Sequence, residues 1–288
     1  MTLVDTASQT LQITPNPGGF GAEVTGLDLS RPLPPDVLAR VKAAFLSHGL
    51  LWFPDQPLTH DQLEAFTLQF GPFGWDPYVA PLEDRPHILE VRREPDEKAS
   101  PFGGGWHSDW SFQETPPAAT ILHAKVVPPE GGDTLYADGI AAYEALSPAF
   151  RQMIAPLRCV HSAVLPYGPQ GSFARETEKR SMKILYSEKA EARFVHPLVR
   201  TLLDGRKALF CSPTYTLAVD GFEPAESAAL LEFLFKHMTE ERFVYRHRWS
   251  ANMLTMWDNR RATHHATGGY DGHLRVMHRT TVAGERPV

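Results

Sequence analysis

The last strand-like segment, residues 274–282, constrains the fold more than any other stretch. Its period-two pattern puts Arg275, Met277, Arg279 and Thr281 on one face and Leu274, Val276, His278 and Val282 mostly on the other. One face therefore carries two guanidinium groups. Turned inward, they are costly unless they meet anions. Turned outward, they place the segment at a water-facing edge of a sheet. A fold that buries this strand must build an anion site around it.

The rest of the chain supplies strands and helices without a regular rhythm. Residues 21–29 read as a short strand and turn, and Leu50–Phe53 as a buried strand. Between them, Val37, Leu38, Val41, Ala44 and Phe45 have helical spacing, and Gly49 ends that helix. A second helix spans about residues 61–70, stopped by Gly71-Pro72. Residues 120–127 and 134–137 read as strands around a Pro- and Gly-rich turn, and 139–157 as a helical region interrupted by Ser147-Pro148. Further strand signals lie at 193–199, 207–211, 242–249 and 253–257, and Pro224–Met238 is the clearest amphipathic helix. There is no internal repeat and no strand–helix alternation of the kind that builds a doubly wound sheet. The expected class is mainly β with flanking helices around a double-stranded β-helix, or jelly-roll, core.

Length alone, 288 residues, does not decide between one large domain and two small ones, and a 42% apolar fraction is enough for a core; residues 11–288 are expected to form a single domain behind a flexible tail, 1–10. Two loop-rich stretches, near 73–105 and 163–185, are dense in Pro, Gly and charge and are expected to act as lids. A net charge of −6 gives no reason to expect nucleic acid or an anionic membrane as partner. No apolar run approaches the roughly 18 residues of a membrane span. The first residues show neither a basic nor an apolar leader pattern, which points to the cytoplasm. Cys159 and Cys211 lie in separate apolar segments and are expected as two buried thiols. A homo-oligomer, dimer or tetramer, is expected.

Three polar clusters carry the chemistry: Trp106-His107-Ser108-Asp109, Gly131-Gly132-Asp133-Thr134, and the stretch from His264 to Arg279. His107 and Asp109, two apart on extended backbone, share a face and can grip one ion. The same pair also reads as two solvated loop residues, and 13 histidines offer many third ligands. Two imidazoles and one carboxylate are the ligand set of a facial non-haem Fe(II) site with three open positions.

Taken in order, these motifs make the chain resemble the Fe(II)/2-oxoglutarate-dependent dioxygenases of the taurine and 2,4-dichlorophenoxyacetate dioxygenase family. The resemblance covers residues 18–287 and also includes Glu114-Thr115-Pro116-Pro117, Ala141-Ala142-Tyr143, His196-Pro197-Leu198-Val199 and Trp257-Asp258-Asn259-Arg260. The family pattern is His-x-Asp, a Thr about 25 residues on, a distant His, and an Arg 11 residues later; Asp109 to Thr134 and His264 to Arg275 match it. The resemblance implies His107, Asp109 and His264 as iron ligands, with His265 the competitor for the third place. It implies Thr134 and Arg275 as the pair on the distal carboxylate of 2-oxoglutarate, and Arg279 on an anionic primary substrate. The implied reaction consumes O₂ and 2-oxoglutarate, releases succinate and CO₂, and hydroxylates a substrate C–H. Asp109 argues against a halogenase, which would need that ligand position for halide.

The implied substrate is a small organic acid: a carboxylate, sulfonate or sulfate ester. Asp76 stands where the taurine enzyme has a sulfonate-binding histidine, and Gly103 where it has an asparagine, so taurine itself is disfavoured. Tyr78, Phe102, Trp110, Tyr167 and Tyr215 are further candidate wall residues, each with ordinary core packing as the alternative. The competing readings are a catalytically inactive jelly-roll binding protein and a metal hydrolase or isomerase on a similar barrel.

Overall fold

The computed structural model describes residues 10–288, so the expected tail lies outside the described residues apart from Thr10. The strands are β1 (Gln12–Pro15), β2 (Ala22–Thr25), β3 (Leu50–Phe53), β4 (Leu89–Arg93), β5 (Ala119–Val126), β6 (Thr134–Asp138), β7 (Arg158–Ser162), β8 (Arg193–Pro197), β9 (Val199–Thr201), β10 (Lys207–Leu209), β11 (Thr216–Val219), β12 (Val244–His247), β13 (Leu254–Asp258), β14 (Ala262–Ala266) and β15 (Arg275–Val282). The helices are α1 (Pro35–His48), α2 (His60–Leu68), α3 (Gly139–Glu144), α4 (Pro148–Ile154), α5 (Val164–Tyr167), α6 (Ser172–Arg175) and α7 (Pro224–Met238). The architecture is mainly β with flanking helices. No helix among the described residues is long and apolar enough to cross a membrane.

The largest sheet has seven strands in the order β1-β2-β3-β13-β5-β15-β4. Only β2 and β3 pair in parallel. Its outer face is covered by α1 and α2, which bury Val41, Phe45, Leu63 and Phe66 against Leu51, Phe53, Ile121 and Met256. Local chemistry sets both helices. Pro35 opens α1, and Gly49 closes it at φ 71°, donating its N–H to Phe45 O at 2.8 Å. Thr59 and Gln62 form a reciprocal capping box on α2.

The inner face of this sheet meets a three-stranded sheet, β12-β6-β14. Trp52 stacks on Tyr245 at 5.5 Å, and Tyr136 packs on Trp257 at 5.4 Å, tying the two layers together. A third cluster sits under α7, where Leu231, Leu234 and Met238 meet Leu198, Leu209 and the two free, buried cysteines.

Two expectations change. The water-facing alternative for the last strand does not hold: all eight residues of β15 are buried, between β5 and β4. The stretch 73–105 is not loop throughout, because 89–93 is β4, the strand that covers the edge of β15. Its sequence, Leu-Glu-Val-Arg-Arg, hides the strand among charged neighbours. β14 was likewise unmarked, since Ala-Thr-His-His-Ala has no apolar alternation.

Burial holds His161 and His247 neutral, pushing each pKa down to about 3. An unfolded histidine titrates near 6.5. Between those values the unfolded chain binds the extra proton, so stability falls as pH falls below about 6.5, by about 1.4 kcal/mol per histidine per pH unit. Urea unfolding at pH 7 and pH 5 should show a clearly lower midpoint at pH 5; an unchanged midpoint would mean that neither imidazole is held neutral.

Candidate active site

A backbone bridge brings the distant histidine to the first cluster. His107 N–H donates to His264 O at 3.0 Å and His264 N–H returns the bond at 2.7 Å. The two imidazoles then lie 4.2 Å apart. Asp109 Oδ1 is 3.5 Å from His107 Nε2 and 3.8 Å from His264 Nε2, and the three donor atoms lie within 4.8 Å of one another. His265 points away, with its ring against Trp106 at 5.6 Å, as alternation along β14 requires.

The surroundings prepare these groups for a cation. Gly105 O, which can only accept, stands 2.6 Å from His107 Nδ1, so that nitrogen carries a hydrogen and Nε2 is the one turned to the site. Asp109 Oδ2 accepts from Thr120 Oγ1 at 2.6 Å, and Thr120 accepts from Asn259 Nδ2 at 2.9 Å. Ser108 Oγ donates to Asn259 O at 2.6 Å, closing a loop of bonds around the carboxylate. Asp109 Oδ1 is left buried without a hydrogen bond, turned toward the imidazoles. Burial alone would raise the Asp109 pKa, but Arg279, His264 and His107 outweigh it and hold the carboxyl well below its usual range. Burial, then His107, keeps His264 well below its usual value and so neutral. Two imidazole nitrogens and one anionic oxygen fit a divalent metal of the Fe(II) type.

Next to the triad is a cavity of about 40 Å³ lined by His107, Thr134, Tyr136, His264, Arg275 and Arg279 among others. Arg275 is buried and has no carboxylate partner among the described residues; its one hydrogen bond is long, 3.3 Å to Gly132 O, and its Nε has none. Its guanidinium lies 5.7 Å from the Tyr270 ring, whose other contact is Arg93 at 5.0 Å. Gly132, at φ +72°, makes this possible: a Cβ there would stand 3.2 Å from Arg275 Nε. A buried cation so placed calls for an anion.

Arg279 differs from expectation. Its NH2 is 3.0 Å from Asp109 Oδ1 and its guanidinium lies 4.3 Å over the Trp110 ring, so it is already ion-paired. Asp76 is nearby, but its Oδ1 accepts from the backbone of Tyr78 and Val79 at 3.0 Å, and Oδ2 is buried without a partner. Burial pushes the Asp76 carboxyl up to about 6, against the pull of Arg279.

A larger cavity, about 690 Å³, opens on His107 and is lined by Gly103, Phe102, Tyr167, Phe173 and Tyr215 among others. Gly103 sits at φ +78°, where a Cβ would lie 3.5 Å from His107 Cε1. Asp76 and Tyr78, expected in the pocket, line neither cavity: Asp76 folds back on its own turn, and Tyr78 stacks behind Tyr167 at 4.8 Å. Trp110 is core, under Arg279. The two expected lids meet. Arg180 NH2 donates to Ser100 O at 2.7 Å, and Ser181 donates through N and Oγ to Glu97 Oε2 at 2.9 and 2.7 Å.

Thr120, Asn259, Tyr270 and Trp249 were not read from the sequence as site residues. Only Asn259 had a signal, inside the Trp257-Asp258-Asn259-Arg260 motif.

A family model described as taurine catabolism dioxygenase TauD, TfdA family matches residues 10–281. The chain is 31% identical over 281 residues to an alpha-ketoglutarate-dependent sulfate ester dioxygenase of Pseudomonas putida, covering 96% of this chain and 91% of that one. It is 32% identical over 283 residues to an (S)-phenoxypropionate/alpha-ketoglutarate-dioxygenase of Sphingobium herbicidovorans, covering 96% of each. The crystal structure of a taurine dioxygenase from Burkholderia xenovorans superposes with a TM-score of 0.80 at 33% identity, over 96% of this chain and 92% of the other.

The geometry separates two neighbouring histidines. His264→Ala should lose stoichiometric Fe(II) binding in anaerobic titration, while His265→Ala keeps it. Asn259→Ala, which frees the Thr120–Asp109 bond, should weaken Fe(II) by roughly 10- to 100-fold. Full Fe(II) affinity in His264→Ala would remove that residue from the ligand set.

Proposed function

The chain belongs to the taurine catabolism dioxygenase TauD/TfdA family, and from that membership we propose how its residues divide the work of an Fe(II)- and 2-oxoglutarate-dependent dioxygenase. His107, Asp109 and His264 would hold the iron. The metal, when bound, couples O₂ reduction and the oxidative decarboxylation of 2-oxoglutarate to succinate and CO₂ with hydroxylation of a substrate C–H.

The chain's own residues bind and orient. Arg275 grips the distal carboxylate of 2-oxoglutarate with charge-assisted bonds, and Thr134 adds a neutral donor. Arg279 keeps Asp109 ionised and aimed at the metal, and offers its remaining N–H groups to an anionic substrate. Gly103, Phe102, Tyr167 and Tyr215 wall the substrate space, and the latched segments around Ser100 and Arg180 exclude water. The seven-stranded and three-stranded sheets, stacked across Trp52 and Tyr245, are in this reading the two walls of a double-stranded β-helix.

The observation that carries this reading is that a buried guanidinium with no carboxylate partner among the described residues, Arg275, shares a small cavity with His107 and His264. The retained clamp and triad leave the inactive binding protein without support. For the primary substrate, we infer a bulky organic acid. The cavity of about 690 Å³ is oversized for a two-carbon acid. The relatives' named substrates, sulfate esters and phenoxypropionate, fall in the same broad class.

Succinate release measured across sulfonates, sulfate esters, aryloxyalkanoates and amino acids tests the assignment. Bulkier acids should outperform taurine; efficient sulfite release from taurine, unmatched by any larger acid, would sink the substrate class. Arg275→Gln should raise the 2-oxoglutarate concentration needed for half-maximal succinate release by roughly 10- to 100-fold, the loss expected for a charged hydrogen-bonding partner.

A further inference from the structure

We propose that Trp249 is a positioning residue that biases Thr134 toward donating its hydrogen to the distal carboxylate of 2-oxoglutarate. The inference rests on the reading of Thr134 and Arg275 as the carboxylate clamp, and adds a residue that acts through Thr134.

An indole N–H can only donate, whereas a threonine hydroxyl has one hydrogen and two lone pairs. Trp249 Nε1 lies 3.0 Å from Thr134 Oγ1, so the threonine oxygen is the acceptor in that bond. Its own hydrogen must then point elsewhere, and Thr134 lines the small cavity that it shares with Arg275. The indole takes one of the two lone pairs and bars the rotamer that aims the hydrogen at Trp249, so the hydrogen is left, with one lone pair, to the cavity side. A lone pair facing a carboxylate is repulsive; the hydrogen is attractive. Donation by the indole also polarises the O–H and strengthens what it gives.

The placement of Trp249 comes from the fold. It follows β12, whose register with β6 sets His247 opposite Thr134. The ring is held edge-on against His247 at 4.7 Å and 87°. The nearby competing acceptor is the Tyr136 hydroxyl, buried in the same cavity without a hydrogen bond. Tyr136 is neutral there, since burial raises its pKa well above the usual value. A carboxylate is the stronger acceptor and takes the Thr134 hydrogen from it.

The test is anaerobic calorimetric titration of the Fe(II)-loaded protein with 2-oxoglutarate and with 2-oxopentanoate, which has a methyl group in place of the distal carboxylate. Trp249→Phe should raise the Kd for 2-oxoglutarate by roughly 5- to 20-fold and leave that for 2-oxopentanoate within about twofold. Trp249→Phe added to Thr134→Val should cost nothing more than Thr134→Val alone, because the effect passes through one hydroxyl. Placing β-(3-benzothienyl)alanine at position 249 keeps the ring shape and removes only the N–H, so it gives the same comparison in a protein that packs as before. Equal losses for both oxo acids, or additive losses in the double variant, would overturn the proposal in favour of simple packing. A native protein that binds 2-oxopentanoate as tightly as 2-oxoglutarate would overturn the clamp itself, and Trp249's role with it.

Discussion

Two guanidinium groups buried on one strand are the constraint on which the site depends. Taking a cation out of water is expensive unless an anion meets it. On β15, Arg279 meets Asp109 at 3.0 Å, while Arg275 lies against an aromatic ring with no carboxylate to meet among the described residues. The fold thus pairs one arginine internally and leaves the other without a counter-charge. In the proposed function that asymmetry separates a group that shapes the metal site from a group kept for the cosubstrate.

The metal site depends in turn on how its backbone is paired. His107 and His264 come from segments 157 residues apart and meet through two reciprocal backbone bonds, so their side chains project from a fixed spacing. Asp109 is oriented from behind by Thr120 and Asn259, and Ser108 ties the same asparagine to the His-x-Asp segment. With the donors of Oδ2 settled, Oδ1 has only the imidazoles and Arg279 to face. Such a preformed arrangement places the binding cost in folding rather than in metal uptake.

The substrate side is built differently. Its proposed walls come from segments without long regular structure, held by aromatic stacking and a few loop-to-loop hydrogen bonds, as in Phe102 on Phe173 and Ser181 on Glu97. Loops of this kind vary readily while the sheets behind them persist. This accords with a chain that shares its family with relatives named for sulfate esters and for phenoxypropionate.

Much was legible from the sequence alone. Periodicity and stop signals located α1, β3, α7 and β15 nearly to the residue, because hydrophobic spacing and capping act locally. The His-x-Asp pair and the 11-residue step from His264 to Arg275 pointed to the reaction class through the family they resemble. What the sequence could not decide depended on partners distant along the chain. The burial of β15 required β4, a charged strand visible only through its pairing. Arg279 turned to Asp109, Asp76 folded onto its own turn, and Tyr78 dropped behind Tyr167, because each answers to neighbours that only the folded chain supplies. The bond from Trp249 to Thr134 spans 115 residues, and nothing local to either residue announces it. Local pattern determined which groups the protein would use; long-range packing and the electrostatics of burial decided which of them would face the metal, the cosubstrate or one another.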